Sequence, residues 1–202
     1  MKKRGFTIVE LLGVIVILSI IAAIATPIVQ KTLNNNRDKL YDIIKTQLKD
    51  YTKDYLAVNT DRLPVDDGDT ADITLEALKK NGNLQINVIN PRTNNVISNQ
   101  SYVKVTKKNN NYTYEVYLYD LVDADEVEAG APTISLSSYS QSCSLNDTCV
   151  LEDTATGVSR QIIYKNEEVS SIDTSKAGIY SVYYSKLENN KLGIGIKTVT
   201  VG

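Results

Sequence analysis

The sequence predicts an α+β protein, in which one long N-terminal helix precedes a small antiparallel sheet and then an all-β segment. Three observations predict this order. Apolar residues continue at helical spacing to about residue 58, strand patterns occupy residues 84–118, and further strand patterns occupy residues 131–202. The spacing of apolar residues distinguishes helices from strands. A helix followed by antiparallel strands is typical of the α+β class.

The first 25 residues join a short basic peptide to a long apolar run. Three basic residues, 2–4, precede Gly5, and the run from Phe6 to Ala25 contains one acidic residue, Glu10. As a helix, this run spans about 30 Å, which is the thickness of a bilayer core. The basic residues predict a cytoplasmic N-terminus. Because a carboxylate in lipid costs a few kcal/mol, Glu10 is a candidate functional residue.

This N-terminus resembles a prepilin of the type IV pilin family. Gly5 stands at the end of the family's basic leader, Phe6 at its first mature residue, and Glu10 at its glutamate. The resemblance implies that a membrane prepilin peptidase cuts between Gly5 and Phe6 and that Phe6 is N-methylated. It also implies that the Phe6 α-amine pairs with Glu10 of a neighbouring subunit during assembly. The alternative is an ordinary single-pass anchor with a chance glutamate.

The N-terminal helix is predicted from Phe6 to Val58, with residues 6–25 spanning the membrane. Beyond the apolar run, larger apolar residues recur on one helical face, namely Val29, Leu33, Leu40, Ile43, Ile44, Leu48, Tyr51 and Tyr55. Pro27 removes one backbone hydrogen bond and predicts a kink. The alternative is that the helix ends at Pro27.

Residues 59–122 are predicted to form a pilin-like α/β head. Its expected elements are a polar loop at 59–68, a short helix at 74–80 capped by Thr74, a strand at 84–89, and a hairpin made by 102–106 and 112–118. An acidic cluster lies at this loop, made by Asp66, Asp67, Asp69 and Asp72, and its spacing is not that of an EF-hand. We therefore expect a solvated acidic loop and no metal site.

An acidic linker at 123–130 separates the head from an all-β segment at 131–202, expected to start with a strand at 132–136. Residues 173–184 resemble bacterial immunoglobulin-like surface repeats, with Gly178 at a turn and alternating residues on one strand face. This resemblance implies an immunoglobulin-like domain; the alternative is an extension of the pilin sheet. Cys143 and Cys149 are predicted to form a disulfide in an exported domain, with two free thiols as the alternative.

The composition argues against catalysis and against nucleic-acid binding. The chain has no His, which removes the commonest general base and metal ligand, and its net charge is −2. We therefore expect no enzyme activity, no cofactor and no nucleic-acid partner.

The family resemblance implies a subunit of a pilus filament. The implied partners are other pilins, the prepilin peptidase and a pilus assembly platform. The implied location is the membrane before assembly and an extracellular filament afterwards. Three roles stay open: a major structural pilin, a minor or tip pilin with an adhesive C-terminal domain, and a pseudopilin of a type II secretion or DNA-uptake machine.

Overall fold

The computed structural model describes residues 7–82, 84, 87–165 and 167–202. In chain order its α-helices and strands are α1 (Ile8–Val58), β1 (Thr70–Thr74), α2 (Leu75–Lys80), β2 (Tyr102–Lys108), β3 (Asn111–Tyr117), β4 (Ser140–Cys143), β5 (Ser159–Tyr164), β6 (Glu167–Val169), β7 (Gly178–Glu188) and β8 (Lys191–Val201). The predicted α+β order, a long helix followed mostly by β-sheet, is confirmed.

The first element, α1, is one helix of 51 residues, about 75 Å long at the standard rise. It begins after Thr7, whose side chain accepts a hydrogen bond from the Glu10 backbone N–H. It ends at Val58, where the Asn59 N–H donates to the Tyr55 carbonyl oxygen at 3.0 Å. Pro27 lies inside the helix, so the alternative that it ends the helix is wrong. The kink at Pro27 stays a prediction.

The first sheet has the order β1-β2-β3 and packs against the C-terminal part of α1. Val103 and Val105 alternate toward the helix along β2, and with Ile73 of β1 they bury Leu48 and Leu56 of α1. Burying such side chains contributes about 1.5–3 kcal/mol each. The head is therefore held on the helix by a continuous apolar core.

The predicted hairpin is confirmed as β2 and β3, with Tyr102 opposite Tyr117. Its turn residues Asn109 and Asn110 have φ values of 49° and 62°. Asparagine tolerates this left-handed conformation, which two-residue hairpin turns require. The short helix is also confirmed, since the Thr74 side chain accepts a hydrogen bond from the Ala77 N–H at 3.3 Å.

Two predictions for the head were wrong. The strand β1 lies partly within the predicted acidic loop, because Ala71 and Ile73 turn inward and pair with the edge of β2 while acidic Asp72 faces outward. Among the described residues of the predicted strand at 84–89, only Ile89 pairs, in an isolated bridge to Val96. Residues 85 and 86 lie outside the described part of the chain.

The C-terminal strands form one five-stranded sheet with the order β4-β8-β7-β5-β6. Its strand pairs are antiparallel except for β4 and β8, which are parallel. The core on one face of this sheet contains Tyr180, Val182 and Val199. Irregular chain that includes Ile134 and Leu151 covers this core. The immunoglobulin-like interpretation is not confirmed, since the described residues after 131 form a single sheet.

The segment at 132–136, predicted to start the all-β part, is irregular and crosses the face of β8 instead of pairing with it. A Cβ at Gly193 would overlap the Pro132 carbonyl oxygen, and one at Gly195 would lie 2.8 Å from Ile134 Cγ2. The two glycines therefore let this segment approach the sheet closely, and that contact takes the place of a strand pairing.

We expect Gly193→Ala to lower the free energy of unfolding by about 1–3 kcal/mol, because the crossing segment must move away from β8. Thermal unfolding of the detergent-solubilised chain, followed by circular dichroism, measures this change. Gly13→Ala is the control, since a Cβ added there meets nothing within 4 Å. Equal midpoints for the two variants would contradict the close approach.

The two sheets share a buried interface. Val96 and Leu121 of the head pack against Leu192 and Ile194 of β8, and Val127 from the predicted linker joins this cluster. A buried polar contact lies in the same interface, where Ser98 Oγ and Ser185 Oγ are 3.1 Å apart. One face of the C-terminal sheet therefore packs against its own core, and the other face packs against the head.

Candidate functional site

The N-terminal half of α1 exposes apolar side chains around its whole circumference. From Ile8 to Ile24, every Ile, Leu and Val side chain is 49–84% exposed, and the first buried residue of the helix is Leu48. A contiguous apolar surface of this size marks an interaction with membrane or protein. The stretch is also long and apolar enough to cross a membrane.

Glu10 lies on this apolar surface and is held by the N-terminus of its own helix. Its Oε2 accepts hydrogen bonds from the Thr7 backbone N–H at 2.8 Å and from the Thr7 hydroxyl at 2.9 Å. The Glu10 backbone N–H donates in return to Thr7 Oγ1 at 3.3 Å. This reciprocal pair is a capping box, which satisfies backbone donors that the helix leaves free.

The role of Thr7 was missed by the sequence reasoning, although its signal was present. A threonine followed three residues later by a glutamate, just before an apolar run, is the pattern of a capping box. Its charge and the family resemblance mark Glu10 as a candidate residue, and the structure adds that Glu10 caps the start of the helix. Gly5 and Phe6, the predicted cleavage and methylation residues, lie outside the described part of the chain.

The polar side chains of residues 7–26 all find partners within the helix. Besides Thr7 and Glu10 these are Ser19, whose hydroxyl donates to the Ile15 carbonyl oxygen at 2.7 Å, and Thr26, which donates to the Ala22 carbonyl oxygen at 2.6 Å. In an apolar environment an unpaired hydroxyl would cost free energy. The hydroxyl groups of this half of α1 therefore keep their hydrogen bonds when lipid or apolar side chains surround the helix.

The apolar surface continues past the bilayer-length segment toward the head. Five further side chains there are more than half exposed, namely Ile28, Val29, Leu33, Leu40 and Ile43. The head contacts the helix beside the last of them: Arg92 Nε donates to Asp38 Oδ1 at 2.8 Å, and its guanidinium lies 4.0 Å from the centre of the Tyr41 ring. One helix thus carries both the apolar surface and the head.

Carboxylates of the acidic cluster at the polar loop accept hydrogen bonds from backbone groups. Asp69 Oδ2 accepts a hydrogen bond from the Asp66 N–H, and Asp67 Oδ2 accepts one from the Asn109 N–H, each at 3.0 Å. Within the described residues, no group of three or more His, Cys, Asp or Glu side chains could hold a metal ion. These carboxylates stabilise turns in the structure.

The structure joins Cys143 and Cys149 in a disulfide with a Cα–Cα distance of 5.5 Å. The bond closes a short loop at the end of β4, and the Gln141 side-chain amide donates to the Val150 carbonyl oxygen at 2.8 Å across the base of that loop. Cys143 also belongs to the core of the C-terminal sheet. The disulfide therefore links the irregular chain after the loop to the sheet.

We expect reduction of this disulfide, or the double replacement of Cys143 and Cys149 by serine, to lower the free energy of unfolding by about 2 kcal/mol. The expected value follows from the chain entropy that a closed loop of this length removes from the unfolded state. Urea unfolding with and without reductant measures the change. The double serine variant should show no response to reductant, and a wild-type chain that also showed none would contradict this role.

Comparison with known families gives one match. Residues 1–26 match the family model described as the prokaryotic N-terminal methylation motif. The match supports a type IV pilin-like protein. No curated protein and no solved structure matches the chain.

The methylation motif covers the predicted leader, Phe6, Glu10 and the segment whose apolar side chains are exposed. It ends at Thr26, one residue before Pro27, and does not reach the head or the C-terminal sheet. The motif and the long apolar helix fit a membrane-anchored pilin. A prepilin motif implies processing by a prepilin peptidase and polymerisation into a pilus.

Proposed function

We propose that this chain is a structural subunit of a type IV pilus-like filament. Prepilin peptidase cuts it after Gly5, Phe6 is N-methylated, and the subunits polymerise through the helix at 6–58. The observation that carries this proposal is the methylation motif on a helix half whose large apolar side chains are all about half exposed or more. The proposal includes no enzyme activity, no cofactor and no nucleic-acid partner.

Before assembly, residues 6–25 lie in the membrane; afterwards, the same surface packs against neighbouring helices. Lipid tails are as apolar as leucine side chains, so this exchange gains little from the hydrophobic effect. Packing and polar contacts must supply the driving force, and Glu10 offers the main polar contact. A lone charge is costly in lipid and less so when paired, so pairing favours the filament.

The capping box is compatible with this pairing. Oε2 of Glu10 is bound to Thr7, while a carboxylate has about four acceptor positions on its two oxygens. The Phe6 α-amine of a neighbouring subunit would bind the remaining positions. A pilus assembly platform would extract the subunits from the membrane.

Co-expression with a prepilin peptidase tests the processing step. We expect the intact mass to fall by the mass of residues 1–5, which are removed, and to rise by the mass of one methyl group added to Phe6. A Gly5→Leu variant is the control and should keep its leader. A chain that stays uncut by a peptidase that processes another prepilin in the same cells would refute the proposal.

A minor or tip pilin is the second candidate, because a five-stranded sheet packs on the head. Immunogold electron microscopy with an antibody to residues 131–202 separates the roles. Label along whole fibres supports a major pilin, and label at fibre tips supports a minor, adhesive subunit. Label confined to the cell envelope, with no labelled fibres, supports a pseudopilin of a secretion or DNA-uptake machine.

A further inference from the structure

A buried amine lies at the junction of the two sheets, away from the apolar helix. It belongs to Lys79 in the last turn of α2, whose side chain is only 10% exposed. Its Nζ lies 2.6 Å from Asn99 Oδ1 and 2.7 Å from Glu168 Oε2. The Glu168 side chain is 7% exposed, and Asn99 is buried as well. An amine, a carboxamide and a carboxylate thus meet in one buried place.

Asn99 and Glu168 are held in position by further contacts. The Asn99 backbone N–H donates to Gln161 Oε1 at 2.7 Å, and the Asn99 carbonyl oxygen accepts from the Glu76 N–H at 3.3 Å. The amide of Gln161 also donates to Glu168 Oε2 at 3.1 Å. These contacts hold Asn99 and Glu168 beside the Lys79 amine, and such positioning of neighbouring groups favours a reaction between them.

The environment favours the reactive form of the amine. Burial lowers the pKa of Lys79, although the neighbouring Glu168 acts in the opposite direction. A larger share of Lys79 is thus neutral and nucleophilic than for a lysine in water. An exposed lysine that forms an ordinary ion pair keeps its proton and is not a nucleophile.

We propose that Lys79 and Asn99 form an intramolecular amide cross-link, with Glu168 as the catalytic proton carrier. Glu168 removes one proton from the Lys79 ammonium, and the Nζ lone pair forms a bond to Asn99 Cγ while the C=O π pair moves to Oδ1. Glu168 gives its proton to Nδ2, the carbonyl re-forms, and the bond from Cγ to Nδ2 breaks. Ammonia leaves, and Glu168 takes the extra proton from the new amide nitrogen. No oxidant or other reactant is needed.

The structure offers an exit for the ammonia. A cleft of about 360 Å³ is lined by Lys79, Asn99 and Glu168 together with Lys80 and Ser170. The reaction is also tied to folding, because Glu168 belongs to the C-terminal sheet, whereas Lys79 and Asn99 belong to the head. The cross-link would therefore form only after the C-terminal sheet has packed on the head.

Mass spectrometry tests the cross-link directly. The full chain is purified in detergent and reduced to open the disulfide before the measurement. We expect an intact mass below the sequence mass by one ammonia, and a branched tryptic peptide that joins Lys79 to Asn99. Expressed without a prepilin peptidase, the chain keeps its leader, so a change in intact mass reports the loss of ammonia alone. Neither readout needs filament formation, so the cross-link and the proposed function fail separately. An intact mass equal to that of the sequence would overturn the proposal.

Variants assign the roles of the three residues. Lys79→Arg and Asn99→Ala should each restore the sequence mass, and the near-isosteric Glu168→Gln should do so with little change in shape. Lys80→Arg is the matched control, because Lys80 is exposed and pairs with Glu76, and it should keep the loss of ammonia. Loss of one water instead of ammonia would place the bond between Lys79 and Glu168 and overturn the assignment to Asn99. Full ammonia loss in Glu168→Gln would overturn the role of Glu168.

Discussion

Glu10→Gln should lower filament assembly by about tenfold or more while leaving α1 intact, because breaking a buried ion pair costs about 3–5 kcal/mol. Glutamine keeps the shape of the side chain and can still close the capping box on Thr7. It cannot pair electrostatically with the Phe6 amine of a neighbour. Quantifying subunits in sheared surface fibres against those in the membrane measures the effect.

A second variant separates the charge of Glu10 from its capping role. Thr7→Val removes the hydroxyl that binds Glu10 but keeps the carboxylate. Loss of a helix cap costs about 1 kcal/mol, so assembly should fall much less than in Glu10→Gln. If Thr7→Val lost assembly and Glu10→Gln did not, the glutamate would act as a helix cap and the pairing hypothesis would be wrong.

Leu48→Ala should lower the free energy of unfolding of the head by about 2–5 kcal/mol. Leu48 is the first fully buried residue of α1 and packs against the first sheet, so its removal leaves a cavity between helix and sheet. Urea unfolding of the detergent-solubilised chain, followed by tyrosine fluorescence, measures the change.

Leu40→Ala is the matched control, since it makes the same substitution eight residues earlier on an exposed part of α1. Its effect on unfolding should stay within about 0.5 kcal/mol. Leu40 lies on the apolar surface proposed for assembly, so this variant should affect fibres more than the isolated subunit. Equal destabilisation by both variants would contradict a helix whose packing against the head starts near Leu48.

Local signals in the sequence predicted the elements whose stability is local. The helix bounds followed from apolar spacing, the short helix from Thr74, and the hairpin from alternating residues around an asparagine turn. The capping box of Thr7 and Glu10 was equally local and could have been predicted. For β1 the local signal was misleading, because its acidic residues are typical of a loop. The segment forms a strand because it pairs with β2, and Ile73 then faces the core.

Contacts between distant residues could not be predicted in this way. The parallel pairing of β4 with β8 joins segments more than fifty residues apart in the chain, and no periodicity indicates a partner at that distance. The meeting of Lys79 with Glu168 spans 89 residues and depends on how the two sheets pack. Each of these residues alone resembles an ordinary surface charge in the sequence.

The length of α1 sets how far the head stands from the membrane. If residues 6–25 fill the bilayer, the chain from Thr26 to Arg37 is a bare stalk before Arg92 contacts Asp38, and it spans about 18 Å. In the unassembled subunit this helical stalk carries two exposed trypsin sites, Lys31 and Arg37, which trypsin can cut when the helix opens locally. In a filament the same residues would be enclosed by the heads of neighbouring copies, so cleavage there would report how many subunits remain unassembled.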